Sequence, residues 1–176
     1  ELHIYGAYTP PKATALHDPK QGFLIKDRAE NVQNVMQEAR VCLAPLRFGA
    51  GIKTKLADAM LFGTPSVTTS IGAEGMAGRL DWCGSIQDDA PAFADAAVVL
   101  HEKQNQWQQA QNNGFKIVNT LFDKQTNQQA LLARILDAKA HLRANRQKNF
   151  FGLMLNHHQH RSTEFMSRWI EAKNKV

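Results

Sequence analysis

"VCLAPLRFGAGIKTKLADAMLFGTPSVTTS", residues 41–70, decides the fold. VCLAPL (41–46) is unbroken apolar chain, which suits a strand buried on both faces of a parallel sheet. From about Ile52 to Phe62 the spacing predicts a helix, stopped by Gly63 with Pro65 just beyond. PSVTTS (65–70) is less hydrophobic but rich in β-branched residues, which makes it a further strand. Strand, turn, helix and strand in thirty residues is the repeating unit of a parallel sheet.

The same alternation extends in both directions. LHIYGA (2–7) and GFLIK (22–26) read as strands, and Val32, Val35, Met36 and Ala39 recur at helical spacing between about Ala29 and Ala39. CGSI (83–86) is a fifth strand. Ala90 to His101 is a helix whose stripe is Phe93, Ala96, Ala97 and Leu100. The expected fold class is therefore α/β, a Rossmann-like parallel sheet with helices on both faces, over residues 1–120. Residues 121–176 are expected to be all helix, the chain changing character after Leu100 to glutamine-rich polar faces with apolar stripes. Ile117, Leu121 and Phe122 mark one face to be buried, and Leu131, Leu132, Ile135, Leu136 and Ala140 another. The tail carries Phe150, Phe151, Leu153, Met154 and Leu155, then Phe165, Met166, Trp169 and Ile170, enough large apolar groups to imply a partner surface.

Composition bounds the function. The chain has 176 residues, 43% hydrophobic and 21% charged, with a formal charge of +5. That length buries a real core, and that sign suits an anionic partner. Cys42 and Cys83 belong to no C-x-x-C unit, so disulfide scaffolds and thiolate metal sites are disfavoured and a reducing cytoplasm is the expected location. No apolar run approaches the roughly 20 residues of a membrane span, and no signal peptide is expected.

The turn between the first strand and helix of the quoted stretch carries the chemistry. In open parallel sheets, ligands bind beyond the carboxyl ends of strands. Gly49, Ala50 and Gly51 let the backbone approach a ligand without Cβ obstruction. The helix starting near Ile52 directs its free amides and positive dipole end into the same space. Arg47 adds a planar fork and Lys53 a mobile point charge. Together they form an anion cradle suited to a diphosphate. The pattern fits neither G-x-G-x-x-G nor G-x-x-x-x-G-K-[ST], which argues against a dinucleotide-binding dehydrogenase or a P-loop. The alternative is a tight turn with solvated basic residues nearby.

Residues 39–76, "ARVCLAPLRFGAGIKTKLADAMLFGTPSVTTSIGAEGM", resemble the nucleotide-sugar-binding segment of retaining glycosyltransferases of family 4, which have the GT-B fold. The family pattern is a strand ending in proline, a glycine-containing loop, a helix reading roughly K-x-x-E-A-M-A-x-G-x-P, a strand V-V-x-T and a loop G-x-E-G. Looser similarity extends back through LHIYGAY and GFLIKD and forward to FADAAVVL. The resemblance implies transfer of a sugar from a nucleoside-diphosphate sugar to an acceptor with retention. Asp58 falls on the helix acid and would accept from the ribose hydroxyls, though it is one methylene shorter than the family's Glu. Lys53 and Arg47 would stabilise the departing diphosphate. Gly49, Gly51 and Ile52 line the same cradle; Gly72 and Gly75 offer a second close backbone approach, and Glu74 a bond to a ligand hydroxyl. Eight positions before the helix acid, where many members carry a sugar-contacting glutamate, this chain has Ala50.

Each of these positions has a plainer reading. Asp58 could pair with Lys55 on the helix surface, and Glu74 could cap a short helix following it. No metal or other cofactor is expected, since basic residues and helix dipoles replace the cation in this fold. His157, His158 and His160 of "HHQH" lack nearby acid or thiolate ligands. No nucleic-acid motif accompanies the basic helices, whereas their charge admits peripheral contact with the inner face of an anionic membrane. The resemblance also implies a fragment. Its start matches the second strand of a GT-B C-terminal domain, so an N-terminal domain of the same parent, toward which the last helix is expected to pack, is an expected partner, together with an acceptor of unspecified kind. An isolated fragment is then expected to be inactive. Two rival functions stay open, a nucleotide-sugar epimerase on the same fold and a non-catalytic binding or assembly module.

Overall fold

The computed structural model describes residues 1–174, apart from the side chains of 157–160. Five short strands form along the predicted segments: β1 (Leu2–Tyr5), β2 (Phe23–Lys26), β3 (Cys42–Ala44), β4 (Ser66–Thr68) and β5 (Gly84–Ile86). All ladders are parallel, but they form two sheets, β1-β2 and β3-β4-β5. A continuous sheet would need β1 or β2 to pair with β3 or β5, and no such ladder exists among the described residues. The helices of this part are α1 (Pro11–Thr14), α2 (Val32–Glu38), α3 (Thr54–Leu61), α4 (Ser70–Ala73), α5 (Ala90–Glu102) and α6 (Gln104–Leu121). The chain is thus α/β with parallel strands flanked by helices and a helical C-terminal region.

β4 is the centre of its sheet although it is the least hydrophobic of the predicted strands. Ser66, Val67 and Thr68 are all fully buried. Their hydroxyls can be there because each finds a partner. Thr68 Oγ1 donates to the Ala44 carbonyl at 2.9 Å, and Ser66 Oγ lies 3.2 Å from Cys83 Sγ. β3, by contrast, pairs with β4 alone among the described residues, and Leu43 is 38% exposed. Its expected burial on both faces does not occur: Ala44 is buried, whereas Leu43, on the opposite face, stays partly exposed.

Two apolar clusters hold this region. One joins Ala44, Leu56, Met60, Met76, Cys83 and Ile117, with Leu121 and Phe122 packed against it. The other joins Val67, Leu100 and Ala110 with Phe93, Ala96 and Ala97, the stripe predicted for α5. Val67 alternates with Ser66 and Thr68, so the clusters lie on opposite faces of β4. The helix ends follow their side chains. Asn31 caps α2 by accepting from the Asn34 amide, and Asp89 caps α5 by accepting from the Ala92 amide at 3.1 Å. α3 stops at Gly63, whose φ of +81° is the left-handed conformation that ends a helix at little steric cost.

The chain divides into two units, residues 1–123 and 124–176. The second consists of α7 (Lys124–Ala140), α8 (Leu142–Lys148) and α9 (Phe150–Lys173). Asn149 caps α9 by accepting from the Gly152 amide at 2.9 Å. The expected burial of the α7 stripe is not found: Leu131, Leu132, Ile135 and Leu136 are each more than half exposed. The side chains of His157, His158 and His160 lie outside the described residues.

Candidate functional site

The turn after β3 is pinned from β4 before it opens outward. The Thr69 hydroxyl donates to the Leu46 carbonyl and accepts from the Gly72 amide at 3.2 Å, so one residue fixes the turn and caps α4. Together with the bond from Thr68 to Ala44, this holds the last residues of β3 against the next strand. Arg47, Phe48, Gly49, Ala50, Gly51 and Ile52 then lie at the surface, Phe48 being 84% exposed. Gly49 and Gly51 have φ of +149° and +70°, and a Cβ built on either would meet no atom within 4 Å. The glycines there serve backbone conformation and leave open space beside the chain.

Lys53 closes the turn. Its side chain is only 8% exposed, and its Nζ is buried without a hydrogen-bond partner. Its backbone N–H donates to Met76 Sδ at 3.4 Å, which brings the loop after α4 against the turn. Lys53 also occupies the N-cap of α3, where no side chain caps the helix and no acidic residue sits in the first turn. An uncapped positive helix end therefore follows an open, glycine-lined turn, and the amine of its N-cap lysine is buried without a hydrogen-bond partner. Buried amines are normally paired, because leaving their donors unsatisfied is costly. Such an arrangement can receive an anion, with the amine and the first amides of α3 as donors.

The other anticipated residues divide into those placed near this turn and those given other work. Arg47 is exposed and makes no ion pair among the described residues. Asp58 is half-buried on α3, and the alternative pairing with Lys55 does not form. Lys55 instead acts on the Cys42 thiol, which burial pushes up to about 11 against the lysine's opposing charge. Gly75, in the loop that Met76 ties to Lys53, has φ of +72° and open space where a Cβ would be. Glu74 is exposed, but it is the C-cap of the preceding α4 and caps no following helix.

Gly72 departs from its expected role. It is buried, and a Cβ there would lie 1.9 Å from Thr68 Oγ1. Its lack of a side chain lets α4 pack on β4 and offers no approach to a ligand. Thr68, Thr69 and Met76 went unrecognised in the sequence as supports of the turn. The paired threonines of PSVTTS were legible there only as β-branched strand formers, because which carbonyl a hydroxyl reaches depends on the neighbouring strand.

A groove of about 640 Å³ lies elsewhere, between β5, α5 and α6, lined in part by Trp82, Gln87, Asp95, Gln109 and Asn113. None of the anticipated site residues line it. The thiols are equally remote from a nucleophile's role: burial pushes Cys83, like Cys42, up to about 11. Among the described residues, no group of three or more His, Cys, Asp or Glu could hold a metal ion. No helix among them is long and apolar enough to cross a membrane.

Fold and turn together define an α/β protein of parallel strands with an open, basic turn at a strand's carboxyl end. Residues 1–103, more than half of the chain, match the family described as glycosyl transferases group 1, and the chain belongs to that family. The match ends near the C-terminus of α5 and contains the whole turn. A sugar donor and an acceptor are the substrates such a domain implies. A search of curated proteins finds no match.

Proposed function

We propose that the chain is the donor-binding part of a retaining glycosyltransferase of family 4 with the GT-B fold, and that the turn after β3 holds the diphosphate of a nucleoside-diphosphate sugar. The observation that carries this reading is Lys53: a buried amine without a partner, beside an open turn at an uncapped helix end. A diphosphate supplies the acceptor oxygens that this amine and the Gly49–Ile52 backbone lack. Arg47 can fold over the exposed side of the same group. Asp58 accepts from the ribose hydroxyls, and Glu74 with the Gly75 backbone faces the remainder of the nucleotide sugar.

In the reaction the bond from the sugar's anomeric carbon to the diphosphate breaks and a bond to the acceptor oxygen forms. The diphosphate leaves with the electron pair, and the acceptor's proton is released. Lys53 and Arg47 meet the charge that develops on the departing oxygen, which is the role otherwise given to a divalent cation. The exposed turn has no opposing wall of its own, so a facing domain would hold the acceptor and exclude water. Two free thiols, Cys42 half-buried and Cys83 buried, suit a reducing cytoplasm.

Calorimetric titration of the chain with uridine and guanosine diphosphates, on wild type and Lys53→Ala, tests the reading. Binding to wild type that falls at least about tenfold in the variant is expected, the scale of one charge-assisted bond. Undiminished binding by the variant would remove the assignment of Lys53. Failure of the wild type to bind either diphosphate would favour a non-catalytic module.

A further inference from the structure

The basic character of the chain is not at the turn. Residues 124–176 carry ten lysines and arginines against three aspartates and glutamates, whereas residues 1–123 carry eleven against thirteen. The whole positive excess therefore resides in the helical unit. Two of its three carboxylates are already matched: Asp137 lies 3.0 Å from His141 Nδ1, and Glu164 pairs with Arg168 at 2.6 Å. Among the described residues, Arg143, Arg146 and Lys148 of α8 have no acidic partner.

Those cations adjoin exposed apolar side chains. Arg143 and Arg146 line a shallow pocket of about 240 Å³ together with Leu142, Gln147 and Leu153. Immediately beyond it, Phe150 and Phe151 meet edge to face with ring centroids 6.0 Å apart, 68% and 71% exposed. At the far end of α9 the Lys173 ammonium lies 5.1 Å from the centre of the exposed Trp169 ring. Cations and aromatics therefore lie side by side where α8 meets α9 and again at the end of α9.

We infer that α8 and α9 form a docking surface for an anionic lipid bilayer, with the α8 guanidinium groups on lipid phosphates and Phe150, Phe151 and Leu153 among the upper acyl carbons. Charge complementarity selects this occupant. The core of a protein interface is depleted of charged residues, while an interfacial helix needs cations beside its apolar face so that heads stay wet as stems and rings sink. Association is peripheral, since no helix among the described residues can span.

Co-sedimentation of the full chain with vesicles tests this, comparing equimolar phosphatidylcholine and phosphatidylglycerol with phosphatidylcholine alone. Binding at least about tenfold tighter to the anionic vesicles is expected, weakening as salt is raised. The combined Arg143→Gln, Arg146→Gln, Lys148→Gln variant should lose about 100-fold, at roughly fivefold per cation. Arg143→Lys with Arg146→Lys should retain most of the binding, and Phe150→Ser with Phe151→Ser should lose it without changing the salt dependence. Equal binding to both vesicles, or a triple variant that binds like wild type, would overturn the inference. So would wild-type chain left in the supernatant, and its appearance there as a dimer would assign the face to a second copy.

Discussion

Replacing Lys53 by methionine should move stability and ligand binding in opposite directions. Methionine keeps the unbranched shape of the side chain, one heavy atom shorter, and removes its polar end. In the free protein that end is buried without a hydrogen bond, so its removal relieves a desolvation cost of about 1–3 kcal/mol. For a chain of this size each kcal/mol moves the melting temperature by roughly 2–4 °C, giving a rise of about 2–12 °C. With a nucleoside diphosphate present the same change deletes a charge-assisted bond of about 1.5–3 kcal/mol, a loss of roughly 10- to 150-fold in affinity. Differential scanning fluorimetry with and without diphosphate measures both effects in one experiment: the variant should melt higher than wild type alone and gain less from ligand. A variant that melts lower than wild type would mean that Lys53 supports the fold, and the reasoning from its unsatisfied amine would fail.

Three further outcomes are expected. Gly72→Ala should destabilise the first unit by more than about 2 kcal/mol, as overpacking does, because its Cβ would meet Thr68 Oγ1 at 1.9 Å; chemical denaturation at wild-type stability would contradict the packing. Asp58→Asn should weaken uridine diphosphate binding by about fivefold to tenfold, the difference between a charged and a neutral acceptor. It should leave the 2′,3′-dideoxy analogue unaffected, and equal effects on both ligands would remove the ribose role. Alkylation of Cys42 and Cys83 should be slow at pH 8 and accelerate until about pH 11. Because their folded values lie above the unfolded ones, the unfolded chain loses these protons first, and stability should fall as pH rises from about 9 to 11. Thiols that react at pH 8 at the rate of a free cysteine would show that burial does not govern them.

What sequence alone determines here is local and periodic. The stripe of Phe93, Ala96, Ala97 and Leu100 on α5, the helix stop at Gly63 and the open turn at Gly49 and Gly51 follow from spacing and backbone sterics, and the structure keeps them. Membership of the group 1 glycosyl transferases, too, was legible, since the stretch at 39–76 that resembles such enzymes lies within the matched residues 1–103. Other features depend on what lies across space. That β4 is central and β3 an edge is set by pairing partners, since apolar content measures a strand's fitness for burial and its neighbours measure the burial itself. The hydroxyls of Thr68 and Thr69 become supports of the turn only when β3 lies beside them. Gly72 has the same composition signal as Gly75, yet one is filled by a neighbouring side chain and the other faces open space. Net charge is a property of the chain, but its sorting into a basic helical unit and a slightly acidic α/β unit appears only once folding divides the residues at 123. Lys53 shows the same limit most plainly: spacing puts a lysine before a helix, and only packing decides that its amine is buried and left without a partner.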